Sequence, residues 1–166
     1  MTGLHFPPMI AVVTTVRSIG LSGGAWLAVL RIGLGLWWLE SWRHKDKKGW
    51  FERGTGIAWA KGVAEKHKYA FVKSGFDKIV APRPKLMAYV VVFSELAIGL
   101  GITVGLLTPI ALVAGMLLNF LYFFLMIHDW AEQGQNAMMA LIAFVCIFAE
   151  ASQCFSLDHV FHLFGA

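Results

Sequence analysis

Four stretches of the chain are apolar almost without interruption: 22–42, 86–107, 109–127 and 136–155. Each supplies the roughly 20 residues that a helix needs to cross a bilayer core. None alternates polar with apolar residues as a membrane β-strand does. The pattern predicts an all-α, integral membrane four-helix bundle forming a single membrane domain over 1–166. Only Leu106-Leu107-Thr108-Pro109 separates the second span from the third. Thr108 suits a helix cap and Pro109 a first turn, so these two spans are expected to form an antiparallel hairpin. Gly101 and Gly105, with Ala111 and Gly115, offer small faces for tight packing within it. The pattern shows no internal repeat.

Two shorter segments read differently. Residues 10–19 are too few to span, and 157–164 look like a short amphipathic end; both are expected at the membrane surface. The N-terminus lacks the basic region of a secretory signal and carries Pro7-Pro8 early.

Composition agrees with the pattern. Apolar residues reach 58% even without glycine, and charged residues only 14%. Soluble domains hold about 45–50% apolar residues with glycine counted, and about 25% charged. Disorder is excluded by this excess, and a disulfide scaffold by the presence of only two cysteines.

Charge is concentrated in one place. Segment 43–85 holds 12 of the 14 Lys and Arg and four acids, a net +8 in a chain of net +4. The positive-inside rule makes this loop cytoplasmic and puts both termini outside. Trp59, Val63, Ala70, Phe71 and Phe76 interleave with lysines, which predicts one or two amphipathic surface helices. Trp37, Trp38, Trp42 and Trp50 suit an interfacial aromatic belt. Lys facing anionic lipid, with Trp among the headgroups, explains the surface better than nucleic-acid binding.

Ionisable residues within spans are costly and are usually paired or functional. Taken from the loop side at about 1.5 Å per residue, Arg31, Glu95, Asn119 and Cys146 all fall about 12–16 Å deep. The simplest account pairs Arg31 with Glu95, Asn119 adding a hydrogen bond. Such a pair either fixes the bundle or floors a site for a carbonyl head group such as a quinone, with Arg31 and Asn119 as donors. Nearer the loop, Gly33, Trp37, Glu40 and His44 share a stripe of the first span, and His128 and Asp129 end the third. Glu40, His44, His128 and Asp129 form a candidate proton path, weighed against plain hydration by headgroups. Haem ligation by His44 and His128 finds no motif. Cys146, Glu150 and Cys154 share a stripe at i, i+4 and i+8. The two Cys would lie about 12 Å apart along that helix, too far for a disulfide. No metal, nucleotide or hydrolase motif is present. The catalytic residues, if any, are not identifiable from the sequence.

Leu30-Arg31-Ile32-Gly33 followed by aromatics resembles the first-helix signature of the DoxX/DoxD-like membrane proteins. Ser94-Glu95-Leu96-Ala97-Ile98-Gly99-Leu100-Gly101, continuing through Gly105-Leu106-Leu107-Thr108-Pro109-Ile110-Ala111, resembles their second helix and turn. Asn136 at the last span, and Ser156-Leu157-Asp158 after it, are also similar. The resemblance covers about 25–160. It implies a four-helix bundle in a prokaryotic inner (cytoplasmic) membrane, and in one branch a small quinone-reactive subunit of a thiosulfate:quinone oxidoreductase. The first loop is longer and more basic than that family's, and Glu150-Ala151-Ser152-Gln153 stands where a Gly-rich turn is usual.

Two expectations follow. In the first, the chain is the membrane subunit of a quinone-linked oxidoreductase, with electrons supplied by a partner subunit. In the second, it is a non-catalytic accessory subunit of a larger respiratory or photosynthetic complex. A quinone subunit predicts a lateral opening near Arg31 and Glu95, whereas an accessory subunit predicts a sealed layer.

Overall fold

The computed structural model describes residues 22–165, and the expected interfacial segment 10–19 lies outside them. Every regular element among the described residues is helical. Helix α1 runs Gly23–His44, α2 Thr55–Glu65, α3 Ala70–Gly75, α4 Pro84–Val104, α5 Thr108–Leu125, α6 Trp130–Phe148 and α7 Leu157–Val160. Two π-helical turns, Gly49–Arg53 and Phe76–Val80, complete the segment between α1 and α4.

Helices α4, α5 and α6 are each long and apolar enough to cross a membrane. Helix α1 is 22 residues long. Arg31, Glu40 and four tryptophans make it less apolar than the other three. Helix α1 packs chiefly on α4, and α5 on α6, with α4–α5 and α1–α6 contacts closing the group. The core holds Leu34, Trp38, Ile98, Ile102, Leu112, Met139 and Ala143. Large apolar side chains such as Leu36, Leu117 and Phe148 point outward, as lipid-facing residues do.

The α4–α5 hairpin forms as expected. Gly105 ends α4 with φ 71°, a left-handed conformation that glycine adopts at no steric cost. Gly101 faces Ala111 across the turn. Pro109 sits in the first turn of α5, but Thr108 is not its cap. The Thr108 hydroxyl is buried with no partner, and the Asp158 carboxylate caps the helix instead, accepting from Leu107 N and Thr108 N at 2.7 Å each. Thr108→Val is therefore expected to leave stability unchanged or raised by about 1 kcal/mol, read by thermal unfolding in detergent. A loss of more than 1 kcal/mol would restore Thr108 as the cap.

The fourth span differs most from expectation. Helix α6 begins six residues earlier because Asp129 caps it, accepting from Ala131 N and Glu132 N at 3.1 and 3.2 Å. Its first turn is polar, which hides it from a hydropathy reading. It ends at Phe148, and Glu150 follows with φ 52°. The stripe of Cys146, Glu150 and Cys154 therefore does not exist: Cys146 is buried, Glu150 is exposed, and Cys154 lies in the returning segment against Gly24.

Segment 43–85 folds into α2, α3 and the two π turns, and it docks on the bundle. His67 is the main tie. Its Nε2–H donates to Phe124 O at 3.0 Å, while its Nδ1 accepts from Tyr69 N at 3.1 Å, which fixes one neutral tautomer. Phe51 stacks on Tyr89 with ring centroids 4.4 Å apart. Ile57, Ala64 and Val72 form the buried face, while Trp59 and Phe71 stay more than half exposed, Phe71 stacking on Phe124 of α5 with ring centroids 5.6 Å apart. Trp38 does not join an interfacial belt; it is core, with its indole nitrogen against Gly115.

Candidate functional site

Arg31 and Glu95 are both fully buried, yet they do not pair. Close contacts set the register of α1 on α4: Gly35 meets Thr103, Gly99 meets Leu39, and Gly105 meets Arg31. Trp42 is then level with the residues around Glu95, not with Leu86. The sequence-based depths placed the loop ends of the two helices flush. In fact α4 projects about ten residues, or about 15 Å, past α1 on the loop side. Arg31 consequently lies near the far turn and Glu95 near the loop, so the four residues do not share a layer.

At the far end, Arg31 donates to Ile102 O at 2.7 Å and to Phe155 O at 2.6 Å, with Cys154 O at 3.5 Å. Its guanidinium thus satisfies the last turn of α4 and the returning C-terminal segment together. Asp158 completes the same tie, since its own N–H donates to Gly105 O at 2.8 Å. The end 157–164 is therefore bound to the bundle through a buried Asp158, not simply laid on a surface. Arg31 belongs to this latch.

At the loop end, Lys45 fills the place expected of Arg31. Its Nζ lies 2.5 Å from Glu95 Oε2 and 3.3 Å from Ser41 Oγ. The Tyr122 hydroxyl donates to Glu95 Oε1 at 2.9 Å. The Lys45 side chain keeps 16% of its surface exposed and that of Glu95 keeps 1%, so the ammonium connects a sealed carboxylate to the loop side. Helix α5 brings Gly115, Asn119 and Tyr122 to one face at i, i+4 and i+7. Asn119 does not bond the Glu95 cluster: both its amide nitrogen and its amide oxygen are buried without a partner, as is Trp38 Nε1 one turn away. Buried polar groups are nearly always hydrogen-bonded; Arg31 Nε, Thr103 Oγ1 and Thr108 Oγ1, toward the far end, are likewise without partners.

Glu40 and His44 come together on the outer surface. Glu40 accepts from Arg43 at 2.6 and 2.7 Å and lies 3.2 Å from His44 Nδ1. His128 packs against His67, with ring centroids 5.9 Å apart, and Asp129 serves as the α6 cap. No hydrogen bond among the described residues joins the two groups. Neither Lys45 nor Tyr122 was singled out by sequence. Lys45 is one of twelve loop cations, and only the register shows that it reaches inward. The spacing of Asn119 and Tyr122 on one helix face was available and would have pointed to Tyr122.

Two cavities adjoin these layers. One of about 180 Å³ lies at the far end, lined by Thr108, Cys146, Glu150 and Gln153 among others. The other, about 670 Å³, is an apolar lateral groove between α1 and α4 at the Glu95 level. Leu39 and Leu96 line it, whereas Glu95 points to the bundle side and does not. Among the described residues, no cluster of His, Cys, Asp and Glu is arranged to hold a metal. No protein-family model, curated protein or solved structure matches the chain.

Proposed function

We propose that the chain is the membrane subunit of a quinone-linked oxidoreductase of the DoxX/DoxD type. In this reading α1 crosses the bilayer with α4, α5 and α6, in a prokaryotic inner membrane, with segment 43–85 on the cytoplasmic side against anionic lipid. The carrying observation is the set of unpartnered buried groups, Asn119 and Trp38 Nε1, one turn from the Tyr122–Glu95–Lys45 chain. A quinone carbonyl accepts hydrogen bonds and has no proton to give. Asn119 Nδ2 and Trp38 Nε1 are donors of the kind that such a carbonyl needs, while Asn119 Oδ1 would still need a donor.

When bound, a quinone supplies the two-electron acceptor, with electrons from a partner subunit. The chain's own residues hold it and deliver protons. Asn119 and Trp38 orient the carbonyl. Glu95 takes a proton from the loop side through Lys45 Nζ and relays it by the Tyr122 hydroxyl. Arg31, first grouped with these residues, has a structural task only.

One observation favours the accessory-subunit reading: none of Arg31, Trp38, Glu95 and Asn119 lines either cavity. Gentle extraction from the native membrane, with mass spectrometry of all that co-migrates, separates the two readings. The oxidoreductase reading expects a small complex with a redox protein and stoichiometric quinone. A large respiratory or photosynthetic assembly, with this chain at fixed stoichiometry and no quinone of its own, would replace it with the accessory role.

A further inference from the structure

The lateral groove between α1 and α4 has a composition that changes along its length. Gly33, Leu36, Trp37, Leu39, Leu96 and Leu100 give an apolar wall, and Leu36, Trp37 and Leu100 are each about half exposed. Its loop-side rim is formed by Glu40, Trp42 and Arg43. The Arg43 side chain is 65% exposed, and it holds Glu40 through Nε and Nη2. Its Nη1 makes no hydrogen bond among the described residues. Lys47 Nζ donates to Trp42 O at 2.8 Å and to Arg43 O at 3.1 Å and sits 4.0 Å from the centre of the Trp42 ring, so a second cation, itself outside the groove lining, stands beside the rim. Glu40 is the one carboxylate there, and Arg43 and His44 engage it.

We infer that this groove is a binding site for one anionic phospholipid, its acyl chain along the α1–α4 wall and its phosphate at Arg43 and Lys47. Charge complementarity selects this occupant. An apolar trough alone would take any lipid tail, but a trough ending at two cations favours an anionic head. Its volume of about 670 Å³ lies within the range of about 300–1,000 Å³ typical of small-ligand sites. The site requires α1 to lie in the membrane, and it does not depend on quinone binding.

The test is native mass spectrometry of the full chain, released from nanodiscs made of equal parts phosphatidylglycerol and phosphatidylcholine. The wild type is expected to retain one phosphatidylglycerol, at least fivefold over phosphatidylcholine. Gly33→Phe fills the groove from α1, where a Cβ at position 33 meets open space, and should abolish retention of both lipids. Arg43→Gln with Lys47→Gln changes only residues at or beside the rim and should leave one lipid bound with the preference lost. Equal retention of the two lipids by the wild type would overturn the inference. So would a preference that survives loss of both cations, or lipid retention that a folded Gly33→Phe chain keeps.

Discussion

Arg31→Met is expected to lower the stability of the bundle by about 3–5 kcal/mol, from the loss of two charge-assisted hydrogen bonds. The methionine fills much the same volume, so the loss comes from hydrogen bonding and not from a cavity. Removing the guanidinium strips Ile102 O and Phe155 O of short, charge-assisted bonds, each worth about 1.5–3 kcal/mol. The returning segment from Cys154 to Asp158 then loses one of its two ties, and Asp158 alone holds it to the α4–α5 turn. Thermal unfolding in detergent measures the total. Limited proteolysis should show the earliest cleavage in the residues that follow α6. The same measurement distinguishes the latch from an Arg31–Glu95 pair. Arg31→Met and Glu95→Gln should be additive to within about 0.5 kcal/mol, because the two sites share no partner. A coupling of 2 kcal/mol or more would contradict the observed register.

Lys45→Met has the second largest expected effect, a loss of about 2–4 kcal/mol at neutral pH. This is somewhat below the range for a fully sealed partner because Lys45 keeps some exposure. The variant leaves the Glu95 carboxylate with only the Tyr122 hydroxyl for company. Adding Glu95→Gln should recover most of the stability at pH 7, because the uncompensated charge is gone and the amide still accepts from Tyr122. The double-mutant cycle should give a coupling of about 2 kcal/mol or more. No coupling would break the Lys45–Glu95 assignment.

These two predictions mark what the sequence could and could not reveal. Hydropathy found the three helices long and apolar enough to cross a membrane, and the hairpin that joins two of them, because length and apolar runs are local properties. It also marked Arg31, Glu95 and Asn119, since ionisable and amide groups stand out within a span. It could not pair them. Pairing depends on how far α1 slides along α4, and that is set by close approaches at Gly35 and Gly99 that no hydropathy profile contains. A shift of about ten residues moved Arg31 to the far end and put Lys45, outside any span, in its place. The cap on α5 was missed for a related reason. Asp158 is distant in sequence, whereas Thr108 is local and fits the usual pattern. Asp129, a local cap, was legible in kind but was read as part of a proton path.

Asn119 carries the central claim, that the loop-side half of the bundle is a site and not merely packing. A buried amide without partners lowers stability by about 1–3 kcal/mol, so replacing it with an apolar residue of similar shape should help the fold. Sites that bind ligands often retain such groups against stability. The most direct measurement is a titration of the purified chain in nanodiscs with decylubiquinone, following quenching of tryptophan fluorescence, alongside thermal unfolding of the same samples. The account predicts saturable binding by the wild type. For Asn119→Leu it predicts at least tenfold weaker binding in a bundle that unfolds at higher temperature. Absence of saturable binding by the wild type, or equal binding by a stabilised Asn119→Leu chain, would contradict it.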